Sequence, residues 1–145
     1  MGMIRGASTP QLLALCKTAA VSQGIAAATA TQIAPVPTAQ INKNSILNST
    51  TGVFTPLVTG YYRVSGVLLC STGAGVSSVY VYIYQGGTQF AAIAGAANVS
   101  TNSIPVLTFS NVLQLTGGQP YHLRFFSSVI NTIIELQLAI EYVSP

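Results

Sequence analysis

SVYVYIYQGGTQ, residues 78–89, alternates aliphatic and aromatic side chains one by one. Successive side chains of a β-strand point to opposite faces. Val79, Val81 and Ile83 therefore share one face, and Tyr80, Tyr82 and Tyr84 share the other. Neither face suits open water. The aliphatic face needs a second layer of structure against it. The tyrosine face is apolar along the rings and polar at the tips, which suits contact with another chain. The competing arrangement covers the tyrosines with loops of the same chain. Gly86-Gly87 then turns the backbone. The stretch predicts a strand of a β-sandwich whose tyrosine face meets neighbouring copies.

The same grammar continues on both sides. Downstream, residues 88–93 read as the returning strand, and residues 95–102 are small and polar, which predicts a loop. Residues 106–115, 121–127 and 133–143 read as strands, with Thr116-Gly117-Gly118-Gln119 as a tight turn. Upstream, residues 61–71 form a strand rich in Tyr, Val and Leu, ended by Gly73 and Gly75. Asn42, Asn44, Asn48 and Gly52 supply turns, while Pro35 and Pro37 confine residues 32–41 to an edge or an irregular segment. Many short strands between turn signals predict an all-β fold, an antiparallel jelly-roll β-sandwich, over residues 32–145. Residues 1–31 read differently, as a short N-terminal arm. Thr9 and Pro10 make a helix start, and Leu12, Leu15, Cys16 and Ala19 follow helical spacing up to Gly24. The alanine-threonine tract after it reads as a linker. A short helix, marginal by itself, or a disordered tail are the two expectations here.

Composition narrows the class. The chain has 145 residues, half of them hydrophobic and only 5% charged, against about 25% in ordinary soluble domains. A monomer of this composition would expose a large apolar surface, so an obligate oligomer is expected. The net charge of +3 comes from scattered residues, Arg5, Lys17, Lys43, Arg63 and Arg124, which give no basic stripe for nucleic acid. No run of 18 apolar residues suggests a membrane span. Lys17 interrupts the apolar run 12–16, which argues against a signal peptide. Cys16 and Cys70 do not form a disulfide framework.

Residues for chemistry are few. His122 is the single histidine, and Glu135 and Glu141 are the only acids. No nucleophile-elbow, P-loop, dinucleotide or zinc-protease motif is present. The expectation is no enzyme, no cofactor and no metal. A pattern does exist among the polar strand residues. Glu135, Gln137 and Glu141 share one face of the last strand, and His122 and Arg124 alternate with apolar residues in the strand before it. Placed in one sheet beside the tyrosine strand, they would make a face of Tyr80, Tyr82, Tyr84, His122, Arg124, Glu135 and Gln137, with Arg124 paired to Glu135. That face is the expected contact between copies. An ordinary solvated face explains the charged members equally well.

The order of these signals resembles a known family. GVFTPLVTGYYRVS, residues 52–65, is similar to the strand entry of complement globular heads and tumour-necrosis-factor jelly rolls. VYVYIYQGGT, residues 79–88, is similar to their next strand and turn, LQLTGGQPYHL, residues 113–123, to a later turn, and residues 133–143 to the closing strand. Gln119 stands where the family has an acid, and the calcium-binding aspartates of some relatives are missing. The resemblance implies compact homotrimers. Such domains occur in bacteriophage virions, so it further implies a trimeric capsid decoration or cement protein on the virion surface. Its partners would be its own copies and other virion proteins such as the major capsid protein. In that setting Leu12, Leu15 and Ala19 of the arm are the expected particle anchor. A chain of this length without a fibrous shaft favours decoration. The alternative is the receptor-binding tip of a head or tail fibre, using residues 95–103 to hold a host-surface glycan or protein.

Overall fold

A computed structural model describes residues 10–72, 75, 77–100 and 103–145. Its strands are β1 (Gln11–Ile25), β2 (Thr31–Gln32), β3 (Ile41–Asn42), β4 (Leu47–Asn48), β5 (Val53–Phe54), β6 (Gly60–Thr72), β7 (Ser77–Gln85), β8 (Thr88–Val99), β9 (Val106–Leu115), β10 (Tyr121–Ser127) and β11 (Asn131–Ser144). One short 3-10 turn covers Lys43–Ser45. The strands form two antiparallel sheets. The first runs β3-β1-β11-β6-β9, and the second β4-β5-β10-β7-β8, with β2 beside β10.

The alternating stretch is β7, as the pattern dictates. Val79, Val81 and Ile83 are fully buried, and the tyrosines between them are half-buried. Gly86, at φ +57°, allows the left-handed turn into β8. Apart from this hairpin, the chain changes sheet at every step from β6 to β11. That alternation makes the sandwich a jelly roll. Both sheets bury their inner faces in one core, led by Leu68, Leu136 and Leu138 on one side and Phe54, Leu123 and Phe125 on the other. Each such side chain contributes about 1.5–3 kcal/mol by leaving water. Phe54 stacks on Tyr121 at 5.8 Å, and the Tyr121 hydroxyl accepts the Thr116 N–H at 2.9 Å, which closes the turn before β10.

Residues 11–25 are the main departure from the sequence expectation. They form a strand hydrogen-bonded along β11, from Gln11 opposite Tyr142 to Ile25 opposite Asn131. The expected helical arm therefore gives its central half to the sandwich, and residues 1–9 lie outside the described residues. The physical reason is non-local. A helix this short is marginal alone, whereas β11 offers a long row of backbone partners. Three register shifts along β1 also disguise its pattern. Leu13, Ala14 and Cys16 are all buried, which follows neither a helical period nor strict alternation.

A smaller departure lies at residues 95–99, expected as a loop. They extend β8, with Gly95 opposite Tyr80 and Val99 opposite Ser77. A Cβ on Gly95 would stand 2.5 Å from a Tyr80 ring carbon, so only glycine lets that ring lie against β8. Residues 101 and 102 of the same expected loop lie outside the described residues.

Candidate functional site

The outer face of the second sheet carries an aromatic ladder. Across β10, β7 and β8 the rows read Phe126–Tyr80–Gly95, Arg124–Tyr82–Ala92 and His122–Tyr84–Gln89. Tyr80 stacks on Tyr82 with centroids 6.0 Å apart, and Tyr82 meets Tyr84 edge-on at 6.4 Å. Phe126 extends the ladder at one end and His122 at the other, at 6.1 and 5.9 Å. The Arg124 guanidinium lies 4.4 Å from the centre of the Tyr84 ring, a cation–π contact. Its Nε–H donates to His122 Nε2 at 3.1 Å, and a terminal N–H donates to the Ala30 carbonyl at 3.4 Å. His122 is therefore neutral, with Nε2 as an acceptor. Burial first, and the Arg124 charge second, hold its pKa below the ordinary histidine value. Burial raises the Tyr82 hydroxyl, and Tyr80 and Tyr84 beside it add to the effect. Beside the ladder, Ala92, Ala94, Gly95, Ala96 and Ala97 line an open trough of roughly 470 Å³ against Tyr80.

The outer face of the first sheet has another character. Strand register sets its rows from β9 through β6 to β11, and on to β1 in the first two: Val112–Arg63–Glu141–Leu12, Ser110–Ser65–Ala139–Leu15, Thr108–Val67–Gln137, and Val106–Leu69–Glu135. Arg63 donates to Glu141 at 2.9 Å, so one acid and one base neutralise each other within the face. Tyr61, Val106 and Val112 are 42%, 57% and 48% exposed. The row through Ser65 and Ala139 is made of small side chains, so the middle of the face is shallow.

The structure thus divides the seven expected contact residues. Tyr80, Tyr82, Tyr84, His122 and Arg124 do come together, on the second sheet. Glu135 and Gln137 lie on the first sheet, and the two outer faces point away from each other. The expected Arg124–Glu135 pair does not form, because β10 and β11, adjacent in sequence, belong to different sheets. Leu12 and Leu15 stand half-buried in a sheet rather than on a helical arm. Ala19 is opposite Leu136 in the same strand pair. Sequence reasoning missed the Arg63–Glu141 pair and the partners Val67, Leu69 and Val112. The alternation Arg63, Ser65, Val67, Leu69 was the available signal, but its face has meaning only once β11 is placed beside it.

Chemistry of other kinds has little support among the described residues. No group of three His, Cys, Asp or Glu side chains stands together. Burial pushes the thiols of Cys16 and Cys70 up to about 11, so both are protonated and inert at neutral pH. Among the described residues no helix is long and apolar enough to cross a membrane.

No protein-family profile matches the sequence, and no curated protein matches it. Solved structures do match. The globular domain of a zebrafish complement 1qA protein aligns over 88% of this chain and 94% of its own, at 16% identity and TM-score 0.61. Eiger TNF from S. frugiperda aligns over 92% of this chain and 94% of its own, at 11% identity and TM-score 0.62. A chain from the structure of infectious bursal disease virus, Gx strain, covers 99% of this chain, which spans 37% of the viral one, at 11% identity and TM-score 0.56. At such identities the likeness speaks for architecture alone. The chain has the TNF-like, complement-1q-type jelly-roll fold.

Proposed function

We propose that this chain is a non-enzymatic structural protein of a virion, a homotrimeric decoration of a bacteriophage capsid. The observation that carries the self-association is the outer face of the first sheet. It combines exposed apolar residues with small side chains and one internally neutralised ion pair. Apart from Glu135, whose carboxylate has to stay at the wet rim of the contact, a face of this kind loses little by being dried and gains about 25 cal/mol for each Å² of apolar surface covered. The contact between copies is therefore assigned to the face of Val67, Leu69, Glu135 and Gln137. Leu12 and Leu15 belong to that face, so they serve self-association rather than particle anchoring. The virion role is supported by the likeness to a chain of a viral particle, and fold likeness alone does not fix function.

Sedimentation equilibrium on the full chain should give three times the monomer mass at micromolar concentration. A folded monomer there refutes the reading. Co-sedimentation with particles lacking the protein tests the second half: a decoration binds in numbers set by the capsid lattice, a fibre tip at a few sites. The fibre-tip alternative is favoured by the aromatic ladder, which the trimer assignment leaves facing outward.

A further inference from the structure

The second sheet's outer face is unused by the self-association assigned above. We infer that its aromatic ladder is a binding strip for an acidic glycan, a chain of pyranose rings bearing carboxylates. The inference rests on the self-association reading only in needing this face clear of sister copies.

The first argument is shape. The site is an open ridge of rings, not a closed pocket; the trough along β8 meets it at Tyr80, while Arg124 stands on the other side of β7, on β10. A small molecule would be buried on one side only, whereas most small ligands are largely enclosed. An extended chain of rings can instead lie along β7 and meet successive aromatic groups. The ring centroids stand 6.0 and 6.4 Å apart, on the scale of one sugar unit after another. The C–H face of a pyranose packs on an aromatic face, and the tyrosine hydroxyls serve as donors and acceptors for its hydroxyl groups.

The second argument is charge. Both side-chain carboxylates of the sequence, Glu135 and Glu141, are on β11 in the opposite sheet. Arg124 therefore lies in the ladder without a carboxylate partner. Among the described residues its hydrogen bonds engage two of the five N–H donors of a guanidinium. His122 and the Ala30 carbonyl fix its orientation, so little side-chain entropy is lost when a ligand carboxylate arrives. A cation held ready and unpaired in a strip of rings complements a ligand that supplies both rings and negative charge. Single-stranded nucleic acid also supplies both, but its binding draws on several phosphate contacts. The ladder has one cation, which favours the glycan.

The probe is an oligogalacturonate, compared with its fully methyl-esterified form and with an oligothymidylate of equal length. Binding to the full-length protein is measured by calorimetry in physiological salt. The free acid should bind about tenfold or more tightly than the ester, the worth of one charge-assisted hydrogen bond. Arg124→Gln should bring the acid down to the ester's affinity. Tyr82→Ala should weaken acid and ester alike, by about threefold to tenfold. Equal affinity for acid and ester overturns the inference, as does tighter binding of the oligothymidylate or no binding of any probe. Sedimentation of Tyr82→Ala separates this from the assembly reading. A trimer that loses the glycan supports the inference, while a variant that dissociates overturns both the free-face premise and the assigned self-association face.

Discussion

Gly66→Ala is the change that most directly tests the packing of the first sheet. Gly66 is opposite Leu138 of β11 on one side and Phe109 of β9 on the other. A Cβ there would overlap the Gln137 carbonyl oxygen and stand 2.8 Å from Phe109 Cζ. The phenylalanine ring can shift, but the carbonyl is backbone in a central strand and cannot move without opening the ladder. Overpacking of this kind costs about 1–3 kcal/mol, and a displaced ladder bond adds about 1 kcal/mol. The expected loss is about 2–4 kcal/mol, or a fall in Tm of about 5–15 °C for a domain of this size. Gly24→Ala is the matched control. It also lies in a strand, yet a Cβ there meets nothing within 4 Å. It should be neutral, or stabilise by about 0.4–1 kcal/mol through the unfolded chain. Urea and thermal unfolding followed by circular dichroism, at one fixed protein concentration, read both variants. If Gly66→Ala unfolds within 1 kcal/mol of the native chain, or Gly24→Ala is the more harmful, the close approach of β6 and β11 is not as described.

Val67→Lys places an ammonium group in the centre of the assigned contact face, and burying three such unpaired charges should cost several kcal/mol and shift the protein to a smaller species in sedimentation. Arg63→Ala leaves Glu141 without its partner. The pair is 39% and 29% exposed in the single chain, but covered by a sister copy the uncompensated carboxylate should cost about 3–5 kcal/mol in the same unfolding assay. A loss of about 1 kcal/mol or less would mean that this face stays in water. The folded pKa of His122 is lowered, so the unfolded chain binds more protons between that value and about 6.5. Stability should therefore be full above about pH 6.5 and decline as pH falls towards the folded value. His122→Gln should flatten that part of the pH–stability curve, and an unchanged slope would count against the neutral, Arg124-bonded imidazole. Phe125→Ala, at a fully buried position, should cost about 3–5 kcal/mol.

The sequence by itself determined what depends on neighbours in the chain. The alternation over residues 79–84 made a two-faced strand because side-chain direction reverses at each residue. Gly86-Gly87 and Thr116-Gly117-Gly118-Gln119 marked turns because few other residues suit those backbone angles. The series of strands and turns made a jelly roll the natural architecture. What the sequence left open depends on partners far away in the chain. Residues 11–25 contain a plausible helix pattern, and only the backbone groups of β11, more than a hundred residues later, make them a strand. Residues 95–99 are mostly small, as in a loop, and only the pairing with β7 makes them a strand, with glycine where the Tyr80 ring lies close. Glu135 and Arg124 lie on adjacent strands of the sequence, yet the crossing from one sheet to the other sends them to opposite surfaces. Local geometry fixes which side of a strand a residue occupies. Which sheet that strand joins is decided by long-range hydrogen bonding and burial, and that choice separated one expected contact face into two.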